Sequence, residues 1–353
     1  MGKFLIGLAW ATLWLGAPAT AQEMALDSAQ VPASGEIEQL AIPSVPGVVI
    51  AGTLRLPKGH GEGPFPLVVC FAGSGKWSRG GYHLLSERLL ARGIAMFELD
   101  KRGAGQSTGT FTDSITEHVI DGHAVIRALR IHKSIDGARI GVCGLSQGGT
   151  VAPSLAAQDS EIAAVVTFAG PVGRRGELFL DALRRTLLGS YPQAHQQVDV
   201  LVAATESLMD AYQRDASAAE IEPLREAVIE AMVATGFTRA EAENTYAVLD
   251  TPQTRSMYAV GSFEDLQALD IPVLALFADR DRVVEAQLNA SAAAEALRGN
   301  ADAAVFTVAG YGHTFQPVDP DTGDATGGAM LDAPEVLELV ADWLARRFGV
   351  SAR

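Results

Sequence analysis

The run Ile140-Gly141-Val142-Cys143-Gly144-Leu145-Ser146-Gln147-Gly148-Gly149-Thr150 carries a short apolar segment through a glycine-flanked serine into a helical one. Arg139 to Gly144 reads as a buried strand, and a helix is expected over residues 150–157. The pentapeptide Gly144 to Gly148 matches G-x-S-x-G. Its position between strand and helix turns a common pattern into a sign of an activated serine. A turn this sharp strains the serine backbone, and the flanking glycines avoid side-chain collisions. Ser146 Oγ is then expected at the carboxyl end of a sheet, where α/β proteins bind ligands. A helix N-terminus behind it favours developing negative charge.

Outward from this point, strand-like and helical runs alternate. Glu36 to Ile42 and Val48 to Leu56 read as strands joined by the turn residues Pro43 to Gly47. Strands follow at Pro66 to Ala72, Ile94 to Leu99 and Ile162 to Phe168. Helices are expected at His83 to Arg92 and Ile115 to His132. From Pro171 to Val260 no convincing strand is seen. That block is rich in Ala, Glu, Arg and Leu at helical spacing, as at Leu178, Leu183, Leu187 and Leu188. Alternation resumes with strands at Ile271 to Phe277 and Ala303 to Val308, and helices at Val284 to Leu297 and Pro334 to Arg347. The pattern predicts an α/β domain with a mostly parallel sheet covered by helices on both faces. Its expected bounds are 36–171 and 262–349, with residues 172–261 inserted as a helical cap. The cap acids Glu220, Glu222, Glu226 and Glu230 read as the wet face of amphipathic helices. Substrate selection is the functional reading of such a cap.

A serine needs a base to act as a nucleophile. In this architecture the order is serine, acid, histidine. Of the seven histidines, His313 alone lies between the last strand and the last helix, in Gly310-Tyr311-Gly312-His313-Thr314-Phe315. It is the expected base. His83, near the glycine-rich loop after the third strand, is its rival, while His118, His123 and His132 read as surface or packing residues. Two carboxylates compete for the acid in Phe277-Ala278-Asp279-Arg280-Asp281-Arg282. Asp281 is preferred because it lies farther into the loop, and Asp279 reads as a cap or an arginine partner. The acid fixes the histidine tautomer and stabilises the imidazolium. Oxyanion donors are expected from the backbone N–H of Gln147 and from Ser74 in Ala72-Gly73-Ser74-Gly75.

The 353 residues carry a formal charge of −15 and no basic block, which argues against a nucleic-acid partner. The glycines fit no dinucleotide or phosphate-loop pattern. Cys70 and Cys143 are too few for a disulfide scaffold and read as buried free thiols. Asp319, Asp321 and Asp324 do not have the spacing of a calcium loop, so neither metal nor cofactor is expected. Asp100-Lys101-Arg102-Gly103-Ala104-Gly105 reads as a structural turn, with Asp100 accepting backbone N–H groups. Residues 1–21 hold Lys3, an apolar run from Phe4 to Leu15 and a small-x-small end at Ala19-Thr20-Ala21. That is the layout of a secretory signal peptide. Export to the periplasm or beyond is expected, with no stable membrane insertion after cleavage.

Together these stretches resemble the α/β-hydrolase superfamily, and within it the exported bacterial acyl esterases grouped as prolyl-oligopeptidase-like or dienelactone-hydrolase-like. The resemblance runs from about Glu36 to Phe348. It rests on the elbow at Ser146, on Gly63-Pro64-Phe65-Pro66-Leu67-Val68-Val69 leading to the oxyanion loop, and on Leu90-Ala91-Arg92-Gly93-Ile94-Ala95. Asp100 to Gly109, Thr251-Pro252-Gln253-Thr254-Arg255 and His313-Thr314-Phe315-Gln316 add to it. Two departures stand out. Ala72 replaces the histidine that opens such oxyanion loops, and Leu145 and Gln147 flank the serine where His and Glu are common. Both leave the backbone donors intact. The resemblance implies hydrolysis of a small-molecule carboxylic ester of short or medium acyl length, with Ser146, His313 and Asp281 as triad. Amides, peptides and lactones use the same triad, so they stay open. A dehalogenase is disfavoured, since its nucleophile would be Asp where Ser146 stands. An inactive binding protein on this fold is the rival of another class.

Overall fold

A computed structural model describes residues 35–350, so the expected signal peptide lies outside the described residues. Eight strands form one sheet in the order β1-β2-β4-β3-β5-β6-β7-β8. They are β1 (Gly35–Pro43), β2 (Val49–Pro57), β3 (Phe65–Phe71), β4 (Ala95–Leu99), β5 (Ile135–Leu145), β6 (Ala164–Phe168), β7 (Val273–Ala278) and β8 (Ala303–Val308). β1, β2 and β4 pair antiparallel, and every other pairing is parallel.

Burial follows this order. β3, β6 and β7 are buried at every residue, whereas β8 at one edge is partly exposed. A strand covered on both faces has no polar side, which is why the inner strands read as unbroken apolar runs. Alternate residues divide between the faces. Val68, Cys70, Met96, Cys143, Leu145, Val166, Phe168, Leu274 and Leu276 form one core with α1 (His83–Leu90) and α11 (Pro334–Arg347). On the other face Phe71 meets α2 (Ile115–Arg130) and α3 (Gln147–Gln158). There Gly122 of α2 is so close to Leu155 and Phe71 that a Cβ would press on both. α2 ends at Arg130, so His132 lies just beyond it. α9 (Ser262–Gln267) and α10 (Ala286–Ala296) complete this domain.

After β3 the chain moves to β4 on one side, and after β4 it crosses to β5 on the other. The sheet order therefore reverses between β3 and β5. At such a switch point the two following loops leave in opposite directions and open a crevice at the carboxyl ends of the strands.

Residues 173–261 form a separate compact unit. It comprises α4 (Glu177–Ser190), α5 (His195–Gln213), α6 (Ala218–Thr235), α7 (Arg239–Leu249) and α8 (Pro252–Ala259). It has its own core, in which Phe179, Leu183 and Leu187 recur every four residues along α4 and meet Leu201, Leu208, Val228, Met232 and Leu249. Ser217 with Glu220 and Thr238 with Glu241 close capping boxes at the starts of α6 and α7. Arg239 reaches Glu226, Glu230 and Glu243 on the exposed face, where ion pairs contribute little.

Among the buried ion pairs of the sheet domain, one joins two neighbouring strands. Arg55 of β2 donates to Glu98 of β4 at 2.7 Å, and Glu98 also accepts the N–H groups of Gly80 and Tyr82. Removing one partner of such a pair strands the other charge. Arg55→Met is expected to lower stability by about 3–5 kcal/mol. Urea unfolding of the variant beside wild type checks this, and a loss under about 1 kcal/mol would mean that Glu98 finds compensation elsewhere.

Candidate active site

Ser146 ends the turn from β5 into α3 with φ 55° and ψ −118°, a conformation that side chains other than glycine rarely adopt. Its N–H is held by the Phe168 carbonyl of β6 at 2.8 Å. The neighbouring glycines are there for space. A Cβ at Gly144 would overlap the Gly148 carbonyl, and a Cβ at Gly148 would overlap the Phe71 carbonyl at the end of β3. The strand-to-helix turn is thereby drawn against the loop that follows β3. In that loop, a Cβ placed on Gly73 would come within 3.4 Å of Ser146 Cβ.

His313 sits in the loop after β8, and its Nδ1 is 2.7 Å from Asp281 Oδ2. An ionised carboxylate only accepts, so Nδ1 carries the proton and Nε2 is left as the acceptor. The Asp281 side chain is almost fully enclosed, at 1% exposure, against 20% for His313. Its other oxygen, Oδ1, accepts the N–H groups of Val283 and Val284 at 2.7 and 2.8 Å. These bonds fix the acid, and the next helix starts at Ala286 rather than at Val284. Asp279 does a different job: its Oδ1 accepts the Gly310 N–H at 2.7 Å and pins the start of the His313 loop. Both carboxylates of this segment are therefore engaged, and it is Asp281 that meets the imidazole. Phe315 anchors the far side of the same loop. Its ring is fully buried and meets Phe168 edge-on at 5.4 Å, the residue whose carbonyl holds Ser146.

His83, the alternative base, stands at the first turn of α1. Its Nδ1 has no hydrogen-bond partner among the described residues. Cys70 and Cys143 are register partners on β3 and β5, with buried free thiols whose sulfurs are 3.2 Å apart. Burial pushes the Cys70 thiol pKa well up, so neither thiolate formation nor ligation is favoured there. Asp319 Oδ1 caps the N–H groups of Asp321 and Thr322.

Gln147 follows Ser146 as the first residue of α3, and Ser74 follows Gly73 in the loop after β3. Among the described residues neither backbone N–H donates to a protein acceptor. Beneath them lies a polar cluster that the sequence did not reveal. Lys101 Nζ donates to the Gly73 carbonyl, to Asp113 Oδ1 at 2.9 Å and to Gln147 Oε1 at 2.8 Å. Asp113 Oδ2 accepts the Gly75 N–H at 2.9 Å, and Gln147 Nε2 donates to the Asp113 carbonyl at 3.2 Å. His118 joins through Gln147. Burial and the Lys101 and Arg102 cations hold its pKa well below the usual imidazole range. Asp100 accepts the N–H groups of Arg79 and Gln106, so it acts as the turn residue expected.

The Hydrolase_4 family model, described as serine aminopeptidase S33, matches residues 63–320, well over half of the chain. Esterase FrsA of Escherichia coli O81 (strain ED1a) is 32% identical over 140 residues, which cover 39% of this chain and 32% of that protein. The chain thus spans about a third of the length of the curated relatives it matches. Among solved structures, the Pyrococcus furiosus esterase Pf2001 superposes with a TM-score of 0.55 at 17% identity, covering 90% of this chain and 92% of that one. The α/β hydrolase GrgF from Penicillium sp. sh18 gives a TM-score of 0.56 at 15% identity, covering 89% and 99%. At these identities the two structures speak for the fold.

The neutral state of His118 has a measurable consequence. Its folded pKa lies below the unfolded value of about 6.5, so the unfolded chain binds the proton more tightly. The contribution to stability is present above that value and is lost as pH falls toward the folded pKa. Stability is expected to fall below about pH 6.5 with a slope from this residue of up to about 1.4 kcal/mol per pH unit. His118→Gln should flatten that part of a pH series of denaturation midpoints. Equal slopes for the two proteins would remove His118 from the account.

Proposed function

The chain belongs to the Hydrolase_4 (serine aminopeptidase, S33) family of α/β hydrolases, and on that premise we propose that it is a serine hydrolase of carboxylic esters acting through an acyl-enzyme. The observation that carries the reading is the bond of His313 Nδ1 to the enclosed Asp281, in the loop order that an elbow serine requires. It leaves His313 Nε2 as the acceptor for a proton. Ser146 Oγ attacks the ester carbonyl carbon while His313 Nε2 takes the hydroxyl proton. The negative charge that develops on the carbonyl oxygen is met by the N–H groups of Ser74 and Gln147. The C–O bond to the leaving alcohol breaks, and the alcohol departs with the proton from His313. A water molecule, deprotonated by His313, then attacks the acyl carbon and frees the carboxylic acid and Ser146. Asp281 holds the tautomer and stabilises the imidazolium without taking its proton.

The curated esterase relatives favour an oxygen ester, and the sequence resemblance adds a short or medium acyl chain. The family description favours a second reading, release of an amino acid from an amide on the same residues. The leaving group separates the two. Export by the segment 1–21 belongs to the same proposal, supported by Lys3, the apolar run and the small residues that end it.

A p-nitrophenyl ester series from acetate to decanoate, run beside aminoacyl p-nitroanilides, tests both readings. Ester turnover is expected, with kcat lowered about 10⁴-fold or more in Ser146→Ala and about 10⁴-fold in Asp281→Asn. His313→Ala should be as inactive as Ser146→Ala, because residues that act as one unit are not additive. Full turnover in any of the three would refute the assignment. Anilide cleavage without ester cleavage would shift the reading to the amidase.

A further inference from the structure

We propose that Lys101 is a positioning residue of the oxyanion hole: its ammonium group holds the Gly73 carbonyl and so aims and polarises the Ser74 N–H on the same peptide unit. This rests on the reading of Ser146 as nucleophile. The Gly73 carbonyl and the Ser74 N–H share one amide. The amide is planar and trans, so the two groups point in opposite directions. A donor fixed on the oxygen therefore fixes where the N–H points. A full positive charge on that oxygen also draws electron density from the nitrogen, which makes the N–H a better donor to an anion.

The other bonds of Lys101 extend the same control. Its second acceptor, Gln147 Oε1, belongs to the residue whose backbone N–H is the other proposed donor. Its third, Asp113 Oδ1, is one arm of a carboxylate whose other arm takes the Gly75 N–H. Trp77 Nε1 donates to the Ser74 carbonyl at 2.6 Å. The peptide before Ser74 and the peptide after it are thus each held by a side-chain donor. One ammonium group links the loop after β3 to the first residue of α3, with all three of its donors used. Lys101 and Asp113 are both enclosed, with side-chain exposures of 5% and 4%. Burial lowers the Lys101 pKa and the Asp113 charge works against that, so the cation is kept by its partner. A buried pair of this kind is a poor source of stability, since two apolar side chains would often serve as well. What apolar side chains could not supply is a charge on the Gly73 oxygen.

Two double variants test the proposal. Lys101→Met/Asp113→Asn removes the donor and the charge but keeps an oxygen for the Gly75 N–H. Lys101→Gln/Asp113→Asn keeps a neutral donor as well, and it decides the matter if the first variant does not fold. Two readouts respond to the oxyanion hole. One is the rate ratio between a p-nitrophenyl ester and its thionoester, whose sulfur is the weaker acceptor. The other is the rate at which a fluorophosphonate labels Ser146, which needs no knowledge of the substrate. In the Met variant kcat is expected to fall by about 10- to 100-fold with KM within about twofold. The oxygen-to-sulfur ratio and the labelling rate should fall with it, and the Gln variant should lie between it and wild type. A folded variant that labels at the wild-type rate, or that loses turnover with an unchanged ratio, would assign Lys101 to the fold alone. A folded wild type that is never labelled would overturn the nucleophile and the Lys101 proposal together. A wild type that is labelled but cleaves no ester would overturn the ester reading alone, and the labelling rates would still decide on Lys101.

Discussion

The end of β3 and the start of α3 come so close that only glycine fits between them. Gly148 lies against the Phe71 carbonyl, Gly144 against Gly148, and Gly149 against Gly170 after β6. Each missing Cβ allows a backbone approach that any side chain would prevent. Because the three parallel strands end at a common level, this approach brings their loops to one place. It also holds Ser146 in its positive-φ conformation, with the Phe168 carbonyl taking the N–H that the turn would otherwise leave unpaired. The strain at this residue is held by the surrounding sheet, as local strain must be if it is to persist.

The loop carrying His313 is fixed by a different means. It holds no helix or strand, only isolated bridges of Tyr311 with Pro317 and of Val318 with Ala325, yet it is tied at both ends. Asp279 takes the Gly310 N–H, the Thr314 carbonyl accepts from Leu331, and Phe315 is fully buried against Phe168. Asp281 is tied in turn by the two N–H groups that follow it in sequence. The imidazole is therefore oriented by groups that are themselves locked, which is the condition for a geometry reproducible to a fraction of an ångström. Phe168 is the joint of this arrangement: its carbonyl serves the Ser146 elbow and its ring serves the His313 loop.

Much of this was legible in the chain because it depends on neighbours in sequence. The strands announced themselves as apolar runs, and the elbow glycines surround Ser146 within a pentapeptide. His313 follows from chain order alone. Distance into the loop favours Asp281 over Asp279, and the hydrogen bond to Nδ1 shows which of the two reaches the imidazole. Boundaries shifted where a side chain or a bulge intervened. The expected helix at Val284 begins two residues later, at Ala286, after the turn in which Asp281 takes the N–H groups of Val283 and Val284. The strand expected from Arg139 starts at Ile135, beyond a register shift opposite Phe65 and Leu67. Lys101 and Asp113 carried no readable signal. A lysine between Asp100 and Arg102 looks like part of a wet turn, and its three acceptors lie at positions 73, 113 and 147, which only the folded sheet brings together. Likewise, spacing alone could not show that Cys70 and Cys143 would face each other across two strands.

That pair of thiols makes the middle of the sheet observable from outside. Both sulfurs are buried where β3 meets β5, three residues before Gly73 on one strand and three before Ser146 on the other. A soluble alkylating reagent can reach them only after the helices that cover this face, or the strands themselves, come away. The molecule thus contains its own clock: the pace of thiol modification follows how often the floor beneath the serine comes open, a motion distinct from the fraying of edges and loops.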